Sequence, residues 1–304
     1  MPTRDRTIGI TLAFAAALIS GVSVFVNGYG TKHFADATVY TTAKNAVAGV
    51  LLLVFALAAP ARRTTVRETT RGRRERWLAF IAVAVIGGSV AFVLFFEGLA
   101  RAEATQAAFI QKTLVVWVAL LAVPLLHERF GAFHAVAIAL LIAGQAWLAG
   151  HLGTVTFGAG EAMILAATLL WSVEVVLVKW LLTWIPPQTL AAARMGLGTL
   201  LLLGWLAVSG RLGQLTSLDS EQWRWVLLTG LLLTAYVATW YVALSLAQAI
   251  DVTAVLVFGA VITAILSGAA DGTSINVTGV VLVAAGSILV AWAALRRPSR
   301  EAVT

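Results

Sequence analysis

Ten apolar stretches in two groups of five constrain the fold of this chain more than any other feature. The first group lies at about Ile8–Val26, Thr38–Ala59, Trp77–Leu99, Thr105–Leu126 and Ala132–Leu148. The second lies at about Glu161–Thr183, Thr189–Val208, Trp223–Leu246, Val252–Ala270 and Val277–Leu295. Most approach the ~20 residues that an α-helix needs to cross a bilayer. Because each group has an odd number of spans, a second copy enters the membrane from the opposite side, as in secondary transporters.

We therefore predict an all-α membrane protein of ten transmembrane helices, built as two inverted five-helix repeats over residues 1–150 and 151–304. Composition agrees, since 60% of residues are hydrophobic and 12% charged, against about 25% charged in soluble domains. Ile8–Val26 is longer than the ~7–15-residue apolar core of a signal peptide and is expected to be the first retained helix.

The sequence carries no recognisable catalytic or metal site. The chain has no cysteine, which excludes disulfides, thiolate ligands and cysteine nucleophiles. Zinc, phosphate-loop and serine–histidine motifs are also missing from the sequence. We expect no catalytic residue, no cofactor and no metal, and therefore no enzyme and no ATP hydrolysis on this chain.

The net charge of +7 is explained by membrane topology rather than by nucleic acid. Arginines gather in one short loop between the second and third spans, at positions 62, 63, 67, 71, 73, 74 and 76. Placing that loop and both termini in the cytoplasm puts most positive charge inside, as the positive-inside rule requires. We predict a multi-pass protein of the inner or plasma membrane whose basic loop lies beside anionic lipid.

The two halves repeat each other in sequence. Ser20-Gly21-Val22-Ser23 aligns with Trp171-Ser172-Val173-Glu174, and Lys44 of the second span aligns with Arg194 of the seventh. An internal repeat of this length indicates duplication of a whole five-helix unit.

With this repeat the chain resembles the EamA-type members of the drug/metabolite transporter superfamily over about Ile8–Leu295. The best-matching pieces are Trp171-Ser172 with Lys179 and Arg194, the turn at 127–130, and glycines in the fifth and tenth spans. The resemblance implies alternating access around a midplane cavity lined by the first, third, fourth, sixth, eighth and ninth helices. We expect the substrate to be a small organic metabolite: an amino acid or a related, aromatic or cationic compound.

Ionisable residues inside spans are costly in hydrocarbon and mark functional sites. Lys112 and Glu174 lie too deep to reach an interface, so we expect them either to form an ion pair or to line the substrate cavity, where Glu174 can carry a coupling proton. Lys44 and Arg194, at opposite depths, are candidate gate or cavity-wall residues. Glu97 is expected to pair with Arg101 or to serve a gate, and Lys179 to snorkel to the interface.

Aromatic and amide side chains complete the predicted substrate site. Trp171 shares a helix face with Glu174, Gln111 precedes Lys112, and the eighth span contributes Trp240 and Tyr241. A cavity with aromatic walls and few polar groups suits a small organic ligand. Ordinary helix packing is the alternative for each aromatic residue.

The sequence thus predicts a secondary transporter, with a channel, a membrane scaffold or a membrane-embedded enzyme as alternatives. The expected partners are a small-molecule substrate and the lipid bilayer, without nucleic acid. Proton coupling and uncoupled transport both stay open, as do a monomer and a homodimer.

Overall fold

The computed structural model describes residues 3–58, 72–99, 101–102, 104–149, 157–272 and 274–296. All ten predicted spans are helices within these ranges. Seven of them are uninterrupted, among them α1 (Thr3–Gly30), α2 (Ala37–Ala58), α5 (Ala132–Leu148), α6 (Ala159–Leu181), α7 (Pro187–Val208) and α10 (Val277–Leu295). The helix α8 (Ser220–Leu246) is also continuous. Of the predicted basic loop, positions 62–71 lie outside the described residues, as does the 150/151 boundary. Its arginines at 73, 74 and 76 instead lie in the first turn of a helix that begins at Arg73.

The remaining three spans are interrupted, which the apolar pattern does not predict. The helix α3 runs from Arg73–Val83 through a π-helical turn at Ala84–Val90 to Ala91–Leu99. The helix α4 consists of Ala104–Lys112 and Leu114–Leu126, and α9 of Ala249–Leu256 and Gly259–Asp271. Because α4 and α9 are the fourth helices of the two halves, their breaks occupy equivalent places. Discontinuous helices of this kind often form transporter binding sites.

Polar caps set several helix boundaries. Asp36 accepts hydrogen bonds from the backbone N–H groups of Thr38 and Val39 at the start of α2, and Asn276 accepts one from Gly279 at the start of α10. Asp219 and Gln222 form a reciprocal capping box that begins α8. These contacts satisfy N–H groups that a helix leaves free in its first turn.

Helix packing follows an approximate twofold relation between the halves. The pair α1–α8 is matched by α6–α3, α2–α8 by α7–α3, and α1–α9 by α6–α4. The pairs α2–α7, α4–α9 and α5–α10 contact across the same axis. Alternate spans run in opposite directions, so both ends of the described chain lie on one face, here the terminal face. The other face is the distal face.

Glycine pairs bring these helices into close contact. A Cβ atom added at Gly198 of α7 would lie 2.7–2.8 Å from backbone atoms of Gly88 in α3, whereas one added at Gly196 meets nothing within 4 Å. The α3–α7 contact therefore depends on Gly198 lacking a side chain, as in other small-residue membrane interfaces.

This difference predicts opposite effects of the same substitution two residues apart. Gly198→Ala is expected to destabilise the protein by about 1–3 kcal/mol through overpacking. Gly196→Ala is expected to stabilise it by about 0.5–1 kcal/mol, because alanine loses less entropy in a helix. Unfolding of both variants in the same detergent measures the difference. Equal shifts would show that the α3–α7 contact is loose.

Candidate functional site

A buried ion pair joins α6 and α7 near the terminal side of the bundle. Arg194 donates to Glu174 through Nε (2.5 Å to Oε1) and Nη2 (3.2 Å to Oε2). Tyr241 of α8 donates its hydroxyl to Glu174 Oε1 at 3.1 Å. All three residues are buried, so the second half contains a neutral, hydrogen-bonded cluster rather than an isolated charge.

The π-helical turn of α3 receives this cluster. The carbonyl of Gly87 accepts hydrogen bonds from Arg194 Nη2 (3.1 Å) and from the indole N–H of Trp171 (3.2 Å). The Glu174 carboxyl lies where a side chain at position 87 would be, with Cδ 2.0 Å from an added Cβ. Local π-helix often marks functional sites, and here it accommodates the Glu174–Arg194 pair.

Of the two alternatives for Lys112 and Glu174, the ion pair is therefore wrong, because the carboxylate is occupied by Arg194. Lys112 ends the first segment of α4, beside Gln111, at the break before Leu114. Both side chains are partly buried. No described residue forms an ion pair with Lys112.

A second buried cation lies in the first half, and it lacks a carboxylate. Lys44 Nζ donates to Asn27 Oδ1 at 2.7 Å, and the Tyr40 hydroxyl lies 2.9 Å from the same oxygen. The ammonium also lies 4.9 Å from the centroid of the Tyr40 ring and 5.7 Å from that of Phe96. Lys44 is 9% exposed. Its surroundings in the described chain are thus amide and aromatic, not anionic.

Aromatic rings of α3 connect the two cations. Phe92 lies 5.7 Å from the Arg194 guanidinium, and Phe96 contacts Lys44 one turn later. The Phe92 and Phe96 rings stack at 6.3 Å, and Trp171 packs edge-on against Phe92 at 5.4 Å. The two charged groups and these rings form one continuous region, here the central cluster.

The other predicted aromatic residues flank this cluster. Tyr241 belongs to it through Glu174, whereas Trp240 is buried and stacks on Tyr236 with ring centroids 6.1 Å apart. The structure thus brings Trp171, Glu174, Arg194 and Tyr241 together. Among the described residues, no hydrogen bond or ion pair joins Gln111 or Lys112 to these four.

Charged side chains on the distal face form a network that joins the two halves. Arg211, which follows α7, contacts Asp36 Oδ2 at 2.9 Å and Glu97 Oε1 at 3.4 Å. Glu97 also pairs with Arg101 at 3.0 Å, which confirms the predicted i,i+4 pair. We call these four residues the distal network. Sequence reasoning missed Asp36 and Arg211, since both lie in loops.

Asp36 of the distal network stays charged at neutral pH. Burial alone would raise the pKa of Asp36, but the hydrogen bond from Arg211, the backbone N–H groups and the Arg211 charge lower it more. The net pKa of Asp36 therefore lies below its ordinary value.

A second network closes the terminal face. Lys179 of α6 donates to the carbonyls of Leu244 and Ala247 at 2.6 Å each, at the end of α8. Glu128 accepts from the backbone N–H groups of Ala249 and Ile250, at the start of α9. The turn between α8 and α9 is thus bound by a cation on one side and an anion on the other.

His134 and Asp251 complete this terminal network with Lys179 and Glu128. His134 Nε2 lies 3.3 Å from Asp251 Oδ1. Burial raises the pKa of Glu128 above its ordinary value, against the backbone hydrogen bonds and the Lys179 charge. The predicted snorkelling of Lys179 is wrong, because its ammonium is bound to protein carbonyls.

The described residues contain no group of three histidine or acidic side chains arranged to hold a metal ion. The chemistry that the central cluster offers is binding: a cation without an anion, an ion pair and aromatic walls.

Comparison with known protein families identifies the family of this chain. The sequence profile of the EamA-like transporter family matches residues 7–150 and again residues 158–294. The chain belongs to the EamA-like transporter family. The double match agrees with the inverted five-helix repeats of the fold, and the family's members are membrane transporters rather than enzymes.

A solved structure, described as the crystal structure of a protein, shares this fold. It superposes with a TM-score of 0.76 at 16% sequence identity, covering 93% of this chain and 97% of the other. At that identity the likeness shows the fold alone. No curated protein matches the sequence.

Proposed function

We propose that this protein is a secondary transporter that moves a small organic metabolite across the membrane by alternating access. One observation carries the proposal: two charge networks close opposite faces of the same bundle. Each network joins the two halves. On the distal face Arg211 contacts Asp36 and Glu97. On the terminal face Glu128 accepts hydrogen bonds from the backbone at the start of α9, and His134 contacts Asp251.

Such a pair of networks supports alternating access because each one resists separation of the halves at its own face. A carrier must open one face while the other stays closed. Breaking the contacts at one face and keeping those at the other is a local change with two discrete states. The central cluster lies between the faces, where a substrate would be exposed to each in turn.

The orientation and the membrane belong to the same proposal. We propose that the terminal face is cytoplasmic and that the distal face lies outside the inner or plasma membrane. The support is the sequence, which concentrates arginines between α2 and α3 and near its two ends. Residues 1–150 and 151–304 are proposed as the two repeat units. The substrate-binding set is proposed as Trp171, Glu174, Tyr241, Trp240, Gln111 and Lys112, with Lys44, Arg194 and Glu97 at the cavity wall or gates.

Proteoliposomes test transport directly. Purified protein is reconstituted and loaded with unlabelled metabolite, and uptake of the same labelled compound is followed across a panel of amino acids, organic acids and amines. A carrier shows saturable uptake that accelerates with internal substrate. Uptake proportional to concentration without counterflow would indicate a channel and contradict the proposal.

A proton-coupled cycle would use Glu174, and this predicts the effect of one substitution. Because Arg194 and Tyr241 occupy the carboxylate, protonation requires the ion pair to open during the cycle. Glu174→Gln is expected to abolish acceleration of uptake by an imposed pH gradient while leaving exchange at equal pH measurable. Glu221→Gln, which changes an exposed carboxylate at the start of α8, serves as the matched control. If Glu174→Gln keeps its full response to pH, the carboxylate is not the proton carrier.

A further inference from the structure

The equivalent cations of the two halves have different partners. Lys44 of α2 corresponds to Arg194 of α7, and Ser23 of α1 corresponds to Glu174 of α6. In the second half the acid neutralises the base at 2.5 Å. In the first half the equivalent of the acid is a serine, and Asn27 bridges from Ser23 to Lys44. The duplication has therefore left one buried cation without its carboxylate.

The ammonium of Lys44 has unused capacity to bind an anion. A lysine ammonium has three donors, and within the described ranges Nζ uses one of them, toward Asn27. Asn27 itself is fixed, since its amide donates to the backbone and hydroxyl oxygens of Ser23 at 2.6 and 3.1 Å. A buried charge without a counter-charge is unfavourable. An anionic group beside Lys44 would neutralise its charge as Glu174 neutralises that of Arg194.

The side chains around Lys44 indicate the chemistry of the rest of the ligand. The rings of Tyr40 and Phe96 lie 4.9 and 5.7 Å from the ammonium, and Phe92 continues the aromatic wall toward Arg194. Arg194 is already neutralised by Glu174, so the region has a single positive charge to offer. This arrangement suits one carboxylate attached to an apolar body and disfavours an organic cation.

We propose that Lys44 binds the carboxylate of the transported solute, which makes this protein a carrier of organic monocarboxylates, amino acids included. The inference rests on the proposed transport function and specifies the substrate class of the same cluster. The solute supplies in the first half the carboxylate that Glu174 supplies in the second.

Ligand binding by the purified protein tests this without a transport assay. Thermal stability is measured with matched pairs that differ in the carboxylate alone: benzoate and benzamide, L-leucine and L-leucinamide. Ligands stabilise the state that they bind. Carboxylates are expected to raise the melting temperature and the amides are not. Equal stabilisation by both members of each pair, or a response to inorganic phosphate or anionic lipid without one to carboxylates, would overturn the proposal.

Three variants assign the effect to Lys44. Lys44→Gln is expected to weaken carboxylate binding by about tenfold to a hundredfold, because a charge-assisted hydrogen bond is lost, and Lys44→Arg is expected to restore it. Lys32→Gln removes an exposed lysine from the same face and serves as the control for general surface charge. If Lys32→Gln weakens binding as much as Lys44→Gln, the proposal fails.

Ser23→Asp gives the sharpest result, because it adds the missing acid and keeps Lys44. We expect a folded protein that no longer responds to carboxylates, since the internal carboxylate occupies Lys44. Retained carboxylate binding in a folded Ser23→Asp protein would overturn the proposal. Failure of the transport function is distinguishable, since it would remove counterflow for every compound, whereas failure here leaves a carrier of other solutes.

Discussion

Replacing Arg194 with methionine is expected to lower the free energy of unfolding by about 3–5 kcal/mol, because it leaves the Glu174 carboxylate buried without a counter-charge. Tyr241 would be the single described hydrogen-bond donor left to that carboxylate. The Gly87 carbonyl would also lose one of its two described side-chain donors. Denaturant titration in mixed micelles measures the loss, and we expect substrate transport to disappear with it.

The matched control is the double variant Glu174→Leu with Arg194→Met. Removing both charges leaves no uncompensated ion, so we expect most of the stability to return, as when buried ion pairs are replaced by apolar groups. Tyr241→Phe alone is expected to cost about 1.5–3 kcal/mol, the contribution of a hydrogen bond to a charged group. A double variant as unstable as Arg194→Met would show that packing, not charge, is responsible.

The spans were predictable because each needs nothing but a run of apolar residues of membrane length. The same pattern could not predict the interruptions in α3, α4 and α9, since an apolar residue fits α- and π-helical turns equally well. Gly87 and Gly88 were the available signal in α3. Their role emerges from Glu174, which occupies the space that a side chain at position 87 would fill.

Partner choice among buried charges was less predictable. Depth along a helix follows from residue number, and it placed Glu174 and Lys112 well inside their spans. Which cation meets Glu174 depends on the rotation of α6 against α7, and the sequence does not contain that angle. Lys179 illustrates the same limit, because its depth suggested snorkelling whereas the end of α8 lies within its reach.

Networks at the two faces were the least predictable features, because loops supply Asp36, Arg211 and Glu128. The alignment of halves did predict that Lys44 and Arg194 are equivalent. It also aligned Ser23 with Glu174, and the significance of that difference became visible once the Glu174–Arg194 contact was known. A difference between aligned residues of a duplicated fold can therefore be interpreted once the contacts of one copy are known.

Breaking the two networks separately is expected to change the accessibility of the central cluster in opposite directions. The chain contains no cysteine, so Ser23→Cys introduces a single reporter on α1 next to Asn27. An impermeant thiol reagent is applied from the side of the distal face. Arg211→Gln weakens the distal network and is expected to speed labelling, because it favours the state open to that face.

Lys179→Met weakens the terminal network and is expected to slow the same reaction, because it favours the state open to the terminal face. Each network contributes to one closed state, and a difference of about 1.4 kcal/mol changes the ratio of the two states about tenfold. Glu128→Gln provides a second terminal variant, which retains an acceptor for the start of α9. Ser217→Cys, exposed on the distal surface, should label at one rate in every background.

Opposite changes in the labelling rate of Ser23→Cys distinguish networks that act as gates from networks that only stabilise the bundle. If both networks merely hold the bundle together, loosening either one exposes Ser23→Cys more, and both variants speed its labelling. Alternating access requires that loosening the terminal face closes the distal one, because the halves move about the cluster between them. Slower labelling in Lys179→Met with an unchanged rate at Ser217→Cys would therefore be explained by coupled gates and not by local unfolding.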